Sequence, residues 1–291
     1  MGSKEIFDTM DAKINSAITD ARAQMLEYEK TLVPPVPTNV YDSYPQPYVL
    51  TSGNKTSPNG KMRLIYTGSN PANRNITGEA GVRVPSSIPE GVSMSNVFFA
   101  YPYNTPNTAS GTSASLTLTE TEFGDFDLSF WMRTIKGWRS PTPKNWEVAW
   151  LLLRFNPAGY PLTDKGAHFH HYFYDIQRNG VVEFGRKDNT QMLEEQTFLT
   201  TSGRVTFSDG KWLNIRIKAQ GNHFTNWIDG VQKFDIIDDG KIGTRKKQVI
   251  TNGVASSVSI PVEAPSSYMA KGRLGNYSED SEDEWSPYII N

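Results

Sequence analysis

Apolar and polar positions alternate along most of this chain, and the clearest run lies between Gly210 and Phe234. Leu213, Ile215 and Ile217 alternate with Asn214, Arg216 and Lys218, the period-2 pattern of a strand with one buried and one wet face. Gln220, Gly221 and Asn222 then turn the chain. Asp229 and Gly230 turn it again, a dipeptide that supplies the positive φ of a two-residue hairpin. Three consecutive antiparallel strands follow from this pattern.

Comparable strand patterns recur from residue 48 onward, at 61–66, 81–84, 96–101, 113–119, 126–134, 145–155, 168–176 and 181–184, with a last strand near 272–277. The run 145–155 is apolar on both faces, so it belongs in the middle of a sheet, with 168–176 paired beside it across the 157–166 loop. The total comes to about a dozen strands, and two packed antiparallel sheets in a jelly-roll sandwich are the natural way to bury them.

The N-terminal residues break this pattern. Phe7, Ile14, Ala21 and Tyr28 repeat at seven, with Ile18, Met25 and Leu32 on the adjacent row, which predicts an amphipathic helix over residues 1–32. Lys4, Asp8, Asp11, Lys13, Asp20, Arg22 and Glu27 occupy the other face. The apolar stripe must be covered either by the chain's own β domain or by further helices in a homo-oligomer assembled through residues 3–32. Pro34, Pro35, Pro37, Pro45 and Pro47 make residues 33–47 an extended linker, because proline lacks the amide donor and fixes φ. Residues 48–291 are then the β-sandwich.

Composition supports this division. Aromatic residues at 12%, 23 glycines and 18 prolines suit an all-β chain with many turns. A formal charge of -2 gives no general attraction to nucleic acid. With no cysteine, disulfides, thiolate metal sites and cysteine nucleophiles are excluded. No apolar run reaches a transmembrane length, and the N-terminal residues lack the basic-then-apolar order of a secretory signal, so the expected extracellular, cell-surface or virion location implies a removed signal or another exit route. Sequons at Asn54, Asn75 and Asn276 occur in a Thr- and Asn-rich chain that generates such triplets by chance.

The pieces at 57–66, 123–128, 145–150, Asn179 with Gly180, 183–188, Gly210 to Trp212, Gly272 and 275–280 fall in an order that resembles secreted concanavalin A-like domains related to the keto-disaccharide hydrolase and laminin-G groups. The resemblance spans roughly residues 57 to 280. It implies a concanavalin A-like jelly-roll sandwich with a reputation for glycan recognition, found in lectins, carbohydrate-binding modules, glycosidases and structural parts alike.

Several constellations could carry chemistry. On the strand 126–134, Phe126, Leu128, Phe130 and Met132 make one face, and Asp127, Ser129, Trp131 and Arg133 the other. An indole between hydrogen-bonding groups suits a pyranose, with Trp131 stacking on the ring and Asp127 and Arg133 holding hydroxyls. Trp146, Glu147 and Trp150, or Arg154, are candidates to widen this platform, and His168, His170 and Tyr172 to extend it. His168, His170 and His171 with Glu147 or Asp175 also suggest a zinc site, set against half-buried packing histidines. The triply alternating acid strand of sandwich glucanases is missing, which leaves an unfamiliar pair such as Glu147 and Glu183 for hydrolysis. Glu279, Asp280, Glu282, Asp283 and Glu284 form either a solvated acidic loop or a calcium site of the kind laminin-G-like sandwiches hold at a rim. The basic run from Lys241 to Lys247 reads as an exposed loop.

The expected function is a non-catalytic, lectin-like glycan-binding or display module. The alternatives are an assembly subunit of a virion, fibre or sheath, and a glycosidase or polysaccharide lyase.

Overall fold

The computed structural model describes residues 13–14, 18–20, 39–51, 53–69, 78–102, 113–138, 142–157, 169–188, 195–201, 203–252 and 254–291. Two compact units divide the chain, Met1–Val36 and Pro37–Asn291. In the first unit, residues 13–14 and 18–20 are helical, with the stripe residues Ile14 and Ile18 about half exposed. The remainder of the expected helix, and residues 33–38 of the expected linker, lie outside the described residues.

In the second unit the strands run in chain order as β1 (Tyr48–Leu50), β2 (Met62–Ser69), β3 (Glu79–Arg83), β4 (Val97–Tyr101), β5 (Ser113–Phe123) and β6 (Phe126–Gly137). Next come β7 (Ala149–Asn156), β8 (His170–Ile176), β9 (Val182–Asp188), β10 (Glu195–Thr200), β11 (Leu213–Gln220) and β12 (His223–Ile228). The last six are β13 (Val231–Ile237), β14 (Thr244–Thr251), β15 (Val254–Ile260), β16 (Gly272–Glu279), β17 (Ser281–Trp285) and β18 (Ile289–Ile290). They form two nine-stranded sheets. The first is ordered β1-β3-β4-β17-β6-β11-β12-β13, with β18 also on β6; the second is β15-β14-β10-β9-β8-β7-β16-β5-β2.

Period-2 alternation decides which side chains meet between the sheets. Leu128 and Phe130 of β6 stand opposite Ile217 and Ile215 of β11, and all four are buried. From the second sheet, Ala149, Leu151 and Leu153 of β7, Tyr172, Tyr174 and Ile176 of β8, and Val182 and Phe184 of β9 join the same core. Each large apolar side chain buried in this way contributes roughly 1.5–3 kcal/mol. The two-residue turn joining β12 to β13 has φ of 50° at Asp229 and 77° at Gly230, the conformation its sequence predicts.

Three segments expected to be loops or linker are tied into the sandwich. Val40 bridges Ile289, the Tyr41 amide donates to the Tyr288 carbonyl, and Tyr44 is buried. The acidic run does not form a solvated loop: β17 lies between β4 and β6 inside the first sheet. Its charge is tolerated because arginines from neighbouring strands meet it. Arg83 reaches Glu282 and Glu284 at 2.8 Å each, and Arg133 donates to Glu284 at 2.7 Å. The basic run is also partly strand, since β14 begins at Thr244 and includes Arg245, Lys246 and Lys247.

Candidate functional site

The outer face of the second sheet carries a site assembled by strand register. Tyr277 of β16 stands beside Trp150 of β7, Trp150 beside Asp175 of β8, and Asp175 beside Glu183 of β9. One step along the strands lies a second row. There Leu152 faces Phe173, Phe173 faces Gly185, and Gly185 faces Phe198 of β10.

The aromatic residues of these rows form a ridge, with ring centroids 5.8 Å apart for Tyr277 and Trp150, for Trp150 and Phe173, and for Phe173 and Phe198. Gly185 is required for this. A Cβ there would lie 2.4 Å from the Phe173 ring and 2.4 Å from the Thr197 carbonyl oxygen. With only hydrogen at that position, the Phe173 ring can reach over β9 toward Phe198.

Beside the ridge, Asp175 is fully buried and Glu183 is 8% exposed. No donor among the described residues reaches either oxygen of Asp175, so an ionised Asp175 would be left unsatisfied. Burial raises its pKa well above the usual carboxylate range, and the charges of Glu183 and Glu279 add to that rise. Protonated, Asp175 becomes a donor to Glu183. Burial also raises Glu183, against the opposing effects of that hydrogen bond and the Lys187 charge. Gln177 Nε2 donates to Glu183 at 3.1 Å and fixes its orientation. The result is a carboxyl pair that holds a proton between its members.

Glu183 opens onto a cleft of about 550 Å³, lined also by Phe198, Thr200, Thr201, Thr244 and Lys246. A concave space bordered by an aromatic ring and a carboxyl of raised pKa is the usual physical signature of a small-molecule site. On the far side of the ridge, His171 stacks on Phe155 at 5.4 Å. Burial, then the charges of Lys187 and His170, push its pKa well below the ordinary value and keep the ring neutral.

The residues expected to form one platform lie on opposite faces of the sandwich. Asp127, Trp131 and Arg133 are on the outer face of the first sheet, and Trp150 is on the outer face of the second. Asp127 takes two hydrogen bonds from Arg216, at 2.9 and 2.7 Å. Arg133 is buried over the Trp212 ring at 4.4 Å and bonded to Glu284, Ser86 and Ser87. Both charged groups are thus engaged within the fold. Trp131 is half-buried and lines a separate groove of about 390 Å³ with Tyr44, Met94, Pro287 and Ile289.

Trp146 is exposed in the turn before β7, where its carbonyl accepts the Trp150 indole N–H at 2.9 Å. Glu147 is fully buried, and the acid partner of Glu183 is Asp175 instead. Arg154, with a φ of 51°, is buried and donates to the carbonyls of Gly124 and Gly221.

Tyr172 is a core residue that donates to Asp238 at 3.0 Å, and His170 stacks on Tyr268 at 5.2 Å. Neither extends a glycan platform, because strand alternation turns them away from the face that carries His171, Phe173 and Asp175. The same alternation separates His170 from His171, and His168 lies outside the described residues. Among the described residues no three His, Asp or Glu side chains converge in a metal-like group.

The expected calcium ligands each have hydrogen-bond or ion-pair partners within the fold. Glu279 accepts from the Tyr277 hydroxyl, and Asp280 from the Ser113 amide and hydroxyl. Glu282 pairs with Arg83, and Asp283 accepts from the hydroxyls of Ser278 and Ser281.

The architecture is a concanavalin A-like antiparallel sandwich with a buried carboxyl pair beside an aromatic ridge on one outer face. Residues 59–270 match the profile of the 3-keto-alpha-glucoside-1,2-lyase-like domain, and the chain belongs to that family. No curated protein matches the chain. Among solved structures, the carbohydrate-binding module CBM66 from Bacillus subtilis aligns at 13% identity and a TM-score of 0.40, over 62% of this chain and 86% of its own. A protein of galectin-like fold from Bacillus subtilis aligns at 9% identity and 0.43, over 78% and 95%. Lectin II from Ulex europaeus aligns at 10% identity and 0.34, over 85% and 99%.

Proposed function

We propose that the outer face of the second sheet binds a saccharide against the half-buried rings of Trp150 and Phe198, with the buried Phe173 packed between them, and that Glu183 acts on it as a general base. The observation that carries this reading is the carboxyl pair, in which Glu183 faces the cleft and Asp175 lies buried behind it. A buried carboxyl of raised pKa is a stronger base than a solvated one and is well matched to work near neutral pH. Asp175 is a positioning residue: its proton is donated to Glu183 and sets how basic that group is.

Membership of a 1,2-lyase-like family supports an elimination in particular. In a 3-keto-glucoside the C2 hydrogen is acidic, because it neighbours the carbonyl. Glu183 takes that proton, the C2–H electron pair forms the C1–C2 double bond, and the C1–oxygen bond breaks. The departing oxygen then receives the proton that Glu183 carries. The half-buried Trp150 indole supplies an apolar ring face on which a pyranose can stack.

The test uses a 3-keto-glucoside as substrate and follows release of the C1 substituent. Glu183→Gln is expected to lower turnover by roughly 100-fold or more while retaining binding, in line with the loss of a general base. Binding without turnover in the native protein would instead assign the face to carbohydrate binding alone. No binding and no turnover would remove both readings.

A further inference from the structure

At one edge of the second sheet, β14 and β15 pair residue for residue from Arg245 with Ile260 to Thr251 with Val254, without a register shift. As the terminal strand among the described residues, β15 presents a row of backbone N–H and C=O groups beyond the last ladder. Protein edges are commonly protected by charges, prolines or bulges. This strand, Val254, Ala255, Ser256, Ser257, Val258, Ser259 and Ile260, has none of them.

The hairpin is also wet on both faces. Ser256, Ser257 and Ser259 are exposed, as are Val254 at 68%, Val258 at 42% and, on β14, Ile250 at 59%. β14 is held on its other side by β10, from Glu195 with Lys247 to Phe198 with Thr244, whereas β15 has β14 alone among the described residues. Here the β-branched side chains that would serve a further contact point into solvent.

We propose that β15 pairs antiparallel with β15 of a second copy of this chain across a two-fold axis, joining the two second sheets into one. A two-fold antiparallel pairing sets one residue opposite itself. With Ser257 on the axis, Val254 meets Ile260 of the partner subunit and Ser256 meets Val258 of the partner subunit. Val254, Val258 and Ile260 share one face of β15, so the pairing gathers these side chains from both copies into one apolar strip. The strand carries no charge, so self-pairing places no like charges opposite one another. This contact is independent of the stripe on residues 3–32.

The chain has no cysteine, so a single introduced thiol reports a single contact. Oxidation of the full-length Ser257→Cys variant is expected to give a covalent dimer, since directly opposed residues in a ladder lie within disulfide reach. Glu90→Cys, exposed in the turn between β3 and β4, is expected to give roughly tenfold less dimer, because it lacks a fixed partner. Val258→Lys, at an exposed site, is expected to halve the mass measured by light scattering with an unchanged circular dichroism spectrum. Equal dimer yield from Ser257→Cys and Glu90→Cys would overturn the pairing, and so would an unchanged mass for Val258→Lys.

Discussion

The ring of Phe173 lies against the backbone of Gly185, so close that a single methyl group on the glycine would stand 2.4 Å from the ring. This contact holds the middle of the aromatic ridge in place. Gly185→Ala is therefore expected to push Phe173 aside and to destabilise the fold by about 1–3 kcal/mol, as overpacking does. Urea denaturation measures the loss. Saccharide affinity on the ridge should fall in the same variant.

The two half-buried tryptophans on opposite outer faces make separable predictions. If saccharide binds beside Glu183, Trp150→Ala removes a stacking ring and should weaken binding by roughly tenfold, whereas Trp131→Ala, on the opposite outer face, should leave it unchanged. Calorimetric titration of both variants with one ligand decides between the faces.

Glu284 accepts from Arg133 on one oxygen and from Arg83 on the other, and it is 1% exposed. Glu284→Ala would leave the buried Arg133 guanidinium without its carboxylate. A loss of about 3–5 kcal/mol is expected, because removing one member of a buried pair strands the other charge. Replacing Glu282, whose side chain is partly exposed, should cost much less.

Asp283 makes stability depend on pH. Burial pushes its pKa up to about 7, against hydrogen bonds from Ser278, Ser281 and Thr134 and the charge of Arg178, all of which favour the ionised form. The folded state thus binds this proton more tightly than the unfolded chain, whose carboxyl titrates near 3.8. The contribution is fully present below that lower value and is lost as pH rises through about 7, a fall of about 4 kcal/mol. Denaturant melts at pH 4, 5.5 and 7.5 should record this fall, and Asp283→Asn should flatten it.

Strand alternation makes much of the sandwich legible in one dimension. Residues 126–134 and 210–234 alternate and 145–155 is apolar on both faces of a central strand, so their patterns and their places in the fold agree. The acidic run at 279–284 misleads for a physical reason. Its Glu282 and Glu284 are paired with Arg83 and Arg133, which lie 201 and 151 residues away from Glu284 in the chain. The site is hidden in a similar way. Trp150, Asp175 and Glu183 are each noticeable in sequence, but only the register of β7, β8 and β9 brings them into one row. Asp127 and Arg133 have the chemistry of sugar-binding groups, and Arg216 and Glu284, distant in sequence, engage them within the fold.

The strands β16, β17 and β18 follow one another over residues 272–290, yet β16 sits inside the second sheet while β17 and β18 lie along β6 in the first. A ribosome making this protein must therefore deliver residues 272–290 before either sheet can close, and β5, β6 and β7 wait with unpaired edges until then. The nascent chain is at its most aggregation-prone just before synthesis reaches that segment, so a ribosome that stalls short of residue 272 would leave a product with both sheets open.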